Sequence, residues 1–320
     1  MGQTKILITG GAGFIGGSLA ERLTDNQNNF VVVVDNLLTG KKEKLPNASK
    51  SNWKFINCDV NEFRPIASIM QSYQFDYVFH YAAVVGVKRT LDKPVLVLSD
   101  IQGIKNILEL SKNTGVKRII YASSSEVYGE SISFPQHEET TPLNSRLPYA
   151  VVKNVGEAYC KSYQKTYGLD FTIYRFFNTF GPKQSTDFVV SKFIKAAINN
   201  KPVTIYGDGE QTRTFCYIDD HLDATTAVFD SNQYKNDVIN IGNDVEVSIN
   251  HLAKTIIKLC KSKSPIEYLQ ALKEGDMPRR MPDATKMKNL LNRKLITLEE
   301  GLEKIIASKY HKHKYNLQYV

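Results

Sequence analysis

Cysteine is scarce in this chain. Four occur in 320 residues, at 58, 160, 216 and 260, with no Cys-x-x-Cys spacing. That excludes a disulfide framework and a zinc ribbon, and points to reduced, mostly buried thiols of the kind a cytoplasmic protein carries. The six histidines are dispersed and make no metal-ligand cluster. Long apolar runs are missing as well. The N-terminal one is a few residues broken by glycines, too short for a signal peptide or a membrane span, so no membrane partner is expected. No internal repeat or low-complexity stretch is visible. A net charge of +8 and a pI near 9.1 would suit a nucleic acid, but the basic residues are scattered and gather only near 286–294 and 309–314. A solvated surface with affinity for an anionic small molecule explains the charge, and no nucleic-acid partner is expected.

What the chain does have is alternation. With 42% hydrophobic residues it can bury a sizeable core. Up to about residue 176, short β-branched runs at 5–9, 30–35, 54–58, 76–80, 116–122 and 171–175 alternate with helical patterns near 13–24, 62–72, 94–113 and 147–167. This order predicts an α/β fold with a doubly wound parallel sheet, a Rossmann domain over 1–177; part of 215–245 is expected to return to it. Beyond 177 the periodicity loosens and Pro/Gly punctuation increases (Gly181-Pro182, Lys201-Pro202, Gly207, Gly209, Gly275). That predicts a smaller, loop-rich substrate domain over 178–320.

The first predicted strand runs into Gly10-Gly11-Ala12-Gly13-Phe14-Ile15-Gly16, and a helical pattern follows. Glycines let such a turn tighten and approach a pyrophosphate, whose charge then rests on the helix N-terminus. The second strand ends at Asp35, nineteen residues after Gly16. A carboxylate there accepts from a ribose 2′-hydroxyl and repels a 2′-phosphate, which favours NAD over NADP. Gly10, Gly13, Phe14, Ile15, Gly16, Asp35 and Asn36 are therefore candidate NAD contacts. Lys41 and Lys42 could reach a 2′-phosphate or simply be solvated. Asp59 and Val60 could edge the adenine, with a helix N-cap at Asp59 or Asn61 as the competing account. Ala82 and Ser123, at the ends of later strands, complete the cofactor set.

Tyr149 and Lys153 lie four residues apart, so on a helix they share a face about 6 Å apart along its axis. An ammonium beside a phenol favours the phenolate, which can take a proton from a sugar hydroxyl near neutral pH. That is half of an alcohol oxidation, and the dinucleotide supplies the other half.

These motifs, with Ser123-Ser124-Ser125-Glu126-Val127-Tyr128-Gly129, Asp35-Asn36-Leu37-Leu38-Thr39-Gly40, Arg175 to Pro182, Tyr206 to Phe215 and Met277 to Asp283, make the chain resemble the extended short-chain dehydrogenase/reductases that act on nucleotide sugars. The resemblance spans nearly the whole chain. It implies an NAD-dependent enzyme whose substrate is a nucleoside-diphosphate sugar and whose subunits form a homodimer through helices 94–113 and 147–167. It implies that Ser124 and Tyr149 meet the sugar O4, that Lys153 holds the nicotinamide ribose, and that Asn178, Arg213 and one of Arg279 and Arg280 meet the diphosphate. For any single arginine, a surface cation is the plain alternative.

Relatives of this kind share C4 oxidation and then diverge. Removing the C5 proton and expelling the C6 hydroxyl is a 4,6-dehydration, loss of CO2 from a 6-carboxylate is a decarboxylation, and rotation of the ketone is a 4-epimerisation. Glu126, in a Ser/Thr-x-Glu-Val-Tyr-Gly pattern, resembles the dehydratases, where it would be the base at C5, and the decarboxylases, unless it merely caps or pairs with a neighbour. Simple epimerases usually carry a small residue there. Ser125 stands where many deoxythymidine-linked dehydratases have Asp, so it is a candidate substrate contact and argues against that substrate group. The expectation is a 4,6-dehydratase-type reaction, with 4-epimerisation or decarboxylation as alternatives. A nucleotide-sensing scaffold and an NADP-dependent reductase are rivals of another class. Intact Ser124, Tyr149 and Lys153 weigh against the first, and Asp35 against the second.

Overall fold

The computed structural model describes residues 2–131, 133–231, 233–271 and 279–308, apart from the side chains of Val87 and Lys88. Gly275, the Met277-Pro278 pair and the basic stretch 309–314 lie outside the described residues. In chain order the elements are β1 (Thr4–Thr9), α1 (Phe14–Leu23), β2 (Asn29–Asp35), β3 (Trp53–Asn57), α2 (Phe63–Tyr73), β4 (Tyr77–His80), α3 (Val87–Asp92), α4 (Pro94–Leu98), α5 (Asp100–Thr114), β5 (Arg118–Ser124), α6 (Pro148–Tyr167) and β6 (Asp170–Phe176). They continue with β7 (Thr179–Phe180), α7 (Val189–Ile198), β8 (Val203–Tyr206), β9 (Thr212–Thr214), β10 (Cys216–Tyr217), α8 (Ile218–Ser231), β11 (Asp237–Ile241), β12 (Glu246–Ser248), α9 (Ile249–Leu259), β13 (Ile266–Leu269), α10 (Thr285–Leu291) and α11 (Leu298–Ala307). A 3-10 turn, Ser125–Tyr128, follows β5 directly.

The chain divides into two compact units. The first holds 1–129, 142–176 and 225–239, and the second 130–141, 177–224 and 240–320. In the first, seven strands form one sheet in the order β3-β2-β1-β4-β5-β6-β11. Every pair from β3 to β6 is parallel. Ile6, Leu7, Ile8 and Val31 to Val34 are fully buried on both faces, so these strands read as continuous apolar runs and not as alternations. One face packs Leu7, Val32 and Val78 against Ile104, Ile107 and Leu108 of α5 and Val152 and Cys160 of α6. The strand order reverses between β1 and its neighbours β2 and β4, and a ligand crevice opens at the carboxyl ends of strands at such a reversal.

The helix expected over 94–113 is broken. Pro94 starts α4 from a non-helical Lys93 (φ −130°, ψ 59°), because proline at the first helical position suits a start and not an interior. α5 then begins at Asp100, whose carboxylate takes the backbone N–H of Val84 at 2.7 Å. The thiols follow the expectation, with Cys58, Cys160 and Cys216 buried and Cys260 half-buried.

The second unit is built of small pairs: β7 with β10, β8 with β13, and β9 with β12. Its helices are amphipathic. α9 buries Ile249, Leu252, Ala253 and Ile256, and α11 buries Leu298, Leu302 and Ile305 behind a capping box of Thr297 and Glu300. Residues 130–141 join this unit through backbone bonds from Gln136 N to Met281 O and from Asp283 N to Gln136 O, both 2.8 Å.

Candidate active site

In the first unit the glycine turn is shaped by close backbone approach. Gly10 has φ +68°, and a Cβ there would lie 2.6 Å from the Ala82 nitrogen; a Cβ on Gly16 would lie 2.6 Å from the Gly10 carbonyl oxygen. Only glycine fits either position. Helix α1 starts from Gly13 with no side-chain cap, so the N–H groups of its first turn, from Phe14 and Ile15 onward, remain available to an anion. Asp35 is tied to this turn. Its Oδ2 accepts from Ala12 N at 3.0 Å and its Oδ1 from Leu37 N at 2.7 Å. Burial pushes this carboxyl above its ordinary range, against the pull of the Leu37 and Ala12 amides and of the Lys44 charge. Each oxygen keeps a lone pair for a ribose hydroxyl. The uncapped helix start, the glycine cradle and this fixed acceptor fit a dinucleotide.

The flanking candidates are arranged by one another. Asn36 donates to Asp59 Oδ2 at 2.9 Å, and Asp59 Oδ1 accepts from Asn61 N at 2.9 Å. Neither Asp59 nor Asn61 caps α2, whose N-cap is Glu62; the capping alternative fails because Asp59 closes its own two-residue turn instead. Lys41 lies 4.0 Å from Glu43, and Lys42 sits over the Phe55 ring, both exposed. Thr9 and His80 hold the β4 side. Thr9 Oγ1 accepts from the amides of Tyr81 and Ala82, each at 3.2 Å, so its own hydrogen points to His80 Nδ1 at 2.8 Å. Burial pushes the His80 imidazole down to about 3, which keeps it the neutral acceptor this bond requires.

At the end of β5, Ser124 caps the 3-10 turn and its Oγ accepts from Glu126 N at 3.2 Å. Ser123, Ser124 and Ser125 are buried, while Glu126 and Tyr149 are half-buried. Helix α6 places Tyr149 and Lys153 one turn apart, with the Lys153 ammonium 5.7 Å from the centroid of the Tyr149 ring. Lys153 is 4% exposed and donates to Ala122 O at 2.7 Å. Burial pushes its amine down to about 8, opposed by the field of Asp100. A cation is thus held beside the phenol with little solvent to screen it.

Four further charged side chains in this unit bear on these groups: Asp100 and Lys44, whose charges act on Lys153 and Asp35, and Glu157 and Arg175, of which only Arg175 lies in one of the motif stretches, Arg175 to Pro182. Arg175 forks onto Glu157, from Nε to Oε1 at 2.9 Å and from Nη2 to Oε2 at 2.7 Å, with both side chains 1% exposed. Its Nη1 donates to the Tyr128 hydroxyl at 2.9 Å, and Ser123 Oγ donates to Glu157 Oε1 at 2.6 Å. Burial works against the Arg175 charge, but the hydrogen bonds and field of Glu157 overcome it and hold the guanidinium above its ordinary value. The signal in the sequence was the spacing of Glu157, one further turn along the face that carries Tyr149 and Lys153.

In the second unit, Asn178 has φ +31° and donates from Nδ2 to Thr214 O at 3.0 Å. Arg213 lies on β9 opposite Val247 of β12 and donates from Nη1 to Thr212 O at 2.7 Å. Arg279 is held by Glu246 through two bonds of 2.7 and 2.6 Å at an exposed position and stacks over Phe134 at 4.6 Å. Arg280, by contrast, is 5% exposed. Among the described residues no group of three or more His, Cys, Asp or Glu could hold a metal ion, and no helix is long and apolar enough to cross a membrane.

Residues 6–242 match the family model described as the NAD dependent epimerase/dehydratase family. The chain is 38% identical over 312 residues to the UDP-glucuronate 4-epimerase of Thermodesulfobacterium geofontis, covering 94% of each. It is 37% identical to UDP-glucuronic acid decarboxylase 1 of Xenopus tropicalis, covering 99% of this chain and 75% of that one. Among solved structures, the UDP-glucuronic acid 4-epimerase of Bacillus cereus in complex with UDP-glucuronic acid and NAD superposes with a TM-score of 0.87 at 31% identity, covering 98% of this chain and 100% of that one.

Proposed function

Because the chain belongs to the NAD-dependent epimerase/dehydratase family of nucleotide-sugar enzymes, we propose that it oxidises C4 of a UDP-linked hexuronate and rebuilds the carbinol or its decarboxylated product at the same site. The observation that carries this is the pairing of Tyr149 with a buried Lys153 on one face of α6, in the unit that also holds the dinucleotide cradle. NAD, when bound, supplies the hydride sink for C4 and the source for its return. Tyr149 takes the O4 proton, and Ser124 orients that oxygen. Lys153 keeps the phenol acidic and holds the nicotinamide ribose.

The substrate class is supported by relatives whose names specify UDP-glucuronate and UDP-glucuronic acid. A 4-keto hexuronate is a β-keto acid, so decarboxylation and 4-epimerisation both start from it. Asn178, Arg213 and Arg280 serve the diphosphate in this reading. Arg279 joins them by exchanging Glu246 for a phosphate, an exchange its exposure makes cheap. A 4,6-dehydration is the second reading, favoured by Glu126, a carboxylate on the turn that Ser124 caps. Exposed Val95, Leu98 and Tyr167 along α4 to α6 suit a homodimer, and a cytoplasmic setting agrees with four unpaired thiols.

The test is a panel of UDP-glucuronate, UDP-N-acetylglucosaminuronate, UDP-glucose and UDP-N-acetylglucosamine, with products followed by NMR in deuterated water. Turnover of a uronate, to its 4-epimer or to a pentose with release of CO2, is the expected result. Turnover of the 6-hydroxy sugars alone, with deuterium entering C5, would replace this reading with 4,6-dehydration.

A further inference from the structure

The Arg175 guanidinium joins two elements that the proposed chemistry needs in register. On one side its fork grips Glu157, which sits on α6 one turn beyond Lys153 and two beyond Tyr149. On the other, Nη1 holds the hydroxyl of Tyr128, the last residue of the turn that carries Ser125 and Glu126 and is capped by Ser124. Tyr128 is fully buried, and the Arg175 guanidinium stacks 4.8 Å from its ring centroid. The turn is also held by bonds from Glu126 N to Ser124 Oγ, from Gly129 N to Glu126 O, and from Asn144 N and Ser145 Oγ to Val127 O.

We infer that Arg175, Glu157 and Tyr128 form a positioning relay that sets the Ser124–Glu126 turn against the Tyr149–Lys153 face of α6. None of the three needs to touch substrate. The relay acts because a planar guanidinium fixes both partners in one plane and one distance, which a lysine could not do. Its buried, water-excluded setting leaves the partners few alternative arrangements. The inference rests on the proposed C4 oxidation for its meaning, since Ser124 and Glu126 are the groups positioned. Its structural content is independent of that reading.

Tyr128→Phe isolates the outer arm: it keeps the ring and its packing and deletes only the hydroxyl. Amide hydrogen exchange in the free protein should speed up at residues 126–129 and stay unchanged over 149–157. In steady-state turnover, kcat per folded molecule should fall roughly ten- to hundredfold while KM and NAD retention hold, as expected when reacting groups drift by a fraction of an ångström to an ångström. A merely structural hydroxyl would lower the melting temperature yet leave kcat of the folded fraction intact. That outcome, or unchanged exchange at 126–129, overturns the relay. If the wild-type protein turns over no UDP-sugar, the functional proposal fails, and the exchange measurement still decides the relay.

Discussion

Among the described residues, two arginine–glutamate forks share almost the same geometry, one in each unit, and their settings are opposite. Arg175–Glu157 lies sealed in the first unit, each side chain 1% exposed. Arg279–Glu246 sits at the surface of the second, with side chains 44% and 24% exposed. Water decides what each pair can do. At the surface the net worth of such a pair is about 0–1 kcal/mol, because solvent and ions compete for both partners. In the interior, removing one partner strands a charge, which costs about 3–5 kcal/mol. The first unit therefore uses its charges as fixed geometry, and the second keeps an arginine that can change partners.

The largest expected effect comes from Glu157→Gln. It should lower the unfolding free energy by about 3–5 kcal/mol, read as a drop in the denaturant midpoint. A loss under about 1 kcal/mol would show that the buried fork is no more fixed than the surface one.

Next comes the titration of Lys153, the other sealed charge. Its amine titrates near 8 in the folded protein, below the usual lysine range. If its charge sustains Tyr149, activity should fall as pH rises through about 8. In Lys153→Arg the remaining activity should lose that alkaline limb, because a guanidinium stays charged. The stability effect has the opposite sign. A folded-state pKa below the unfolded one means the unfolded chain binds more protons between pH 8 and 10.5, so this group favours folding increasingly as pH rises across that window. An alkaline limb that survives Lys153→Arg would assign it to another group.

The smallest stability effect belongs to Arg279→Ala, within about 1 kcal/mol of wild type. Its consequence should appear in KM for the UDP-sugar, with kcat nearly unchanged, and Glu246→Gln should lower KM by freeing the arginine. Unchanged KM in both variants would confine Arg279 to the surface pair.

How far the sequence could be read follows the same divide between local and long-range interactions. The glycine turn, Asp35 and the Tyr149/Lys153 pair were legible because their meaning lies in short spacings that backbone geometry converts directly into position. Six of the seven strands of the main sheet were legible, the inner ones because burial on both faces writes an unbroken apolar run, whereas β11 lies far along the chain from the alternating region and was not. Glu157 was not legible, and Arg175 only as the first residue of the Arg175 to Pro182 stretch, since their partnership spans eighteen positions and exists only once α6 and β6 are packed. Asp100 was hidden inside a helix that seemed continuous, and only its bond to Val84 N shows why α5 starts there. The place of 130–141 in the second unit depends on backbone bonds to 281–283, and the partnership of Arg279 with Glu246 on contact between distant segments. Neither leaves a local trace.

The most direct test of the central claim follows the hydrogen on C4. UDP-glucuronate deuterated at C4 is turned over in ordinary water, with the product examined by NMR and mass spectrometry beside a Tyr149→Phe control. The account predicts that the product keeps the deuterium, none passes to added free NAD, and the control gives no product. Deuterium lost to solvent, or product formed at a near-normal rate by Tyr149→Phe, would contradict it.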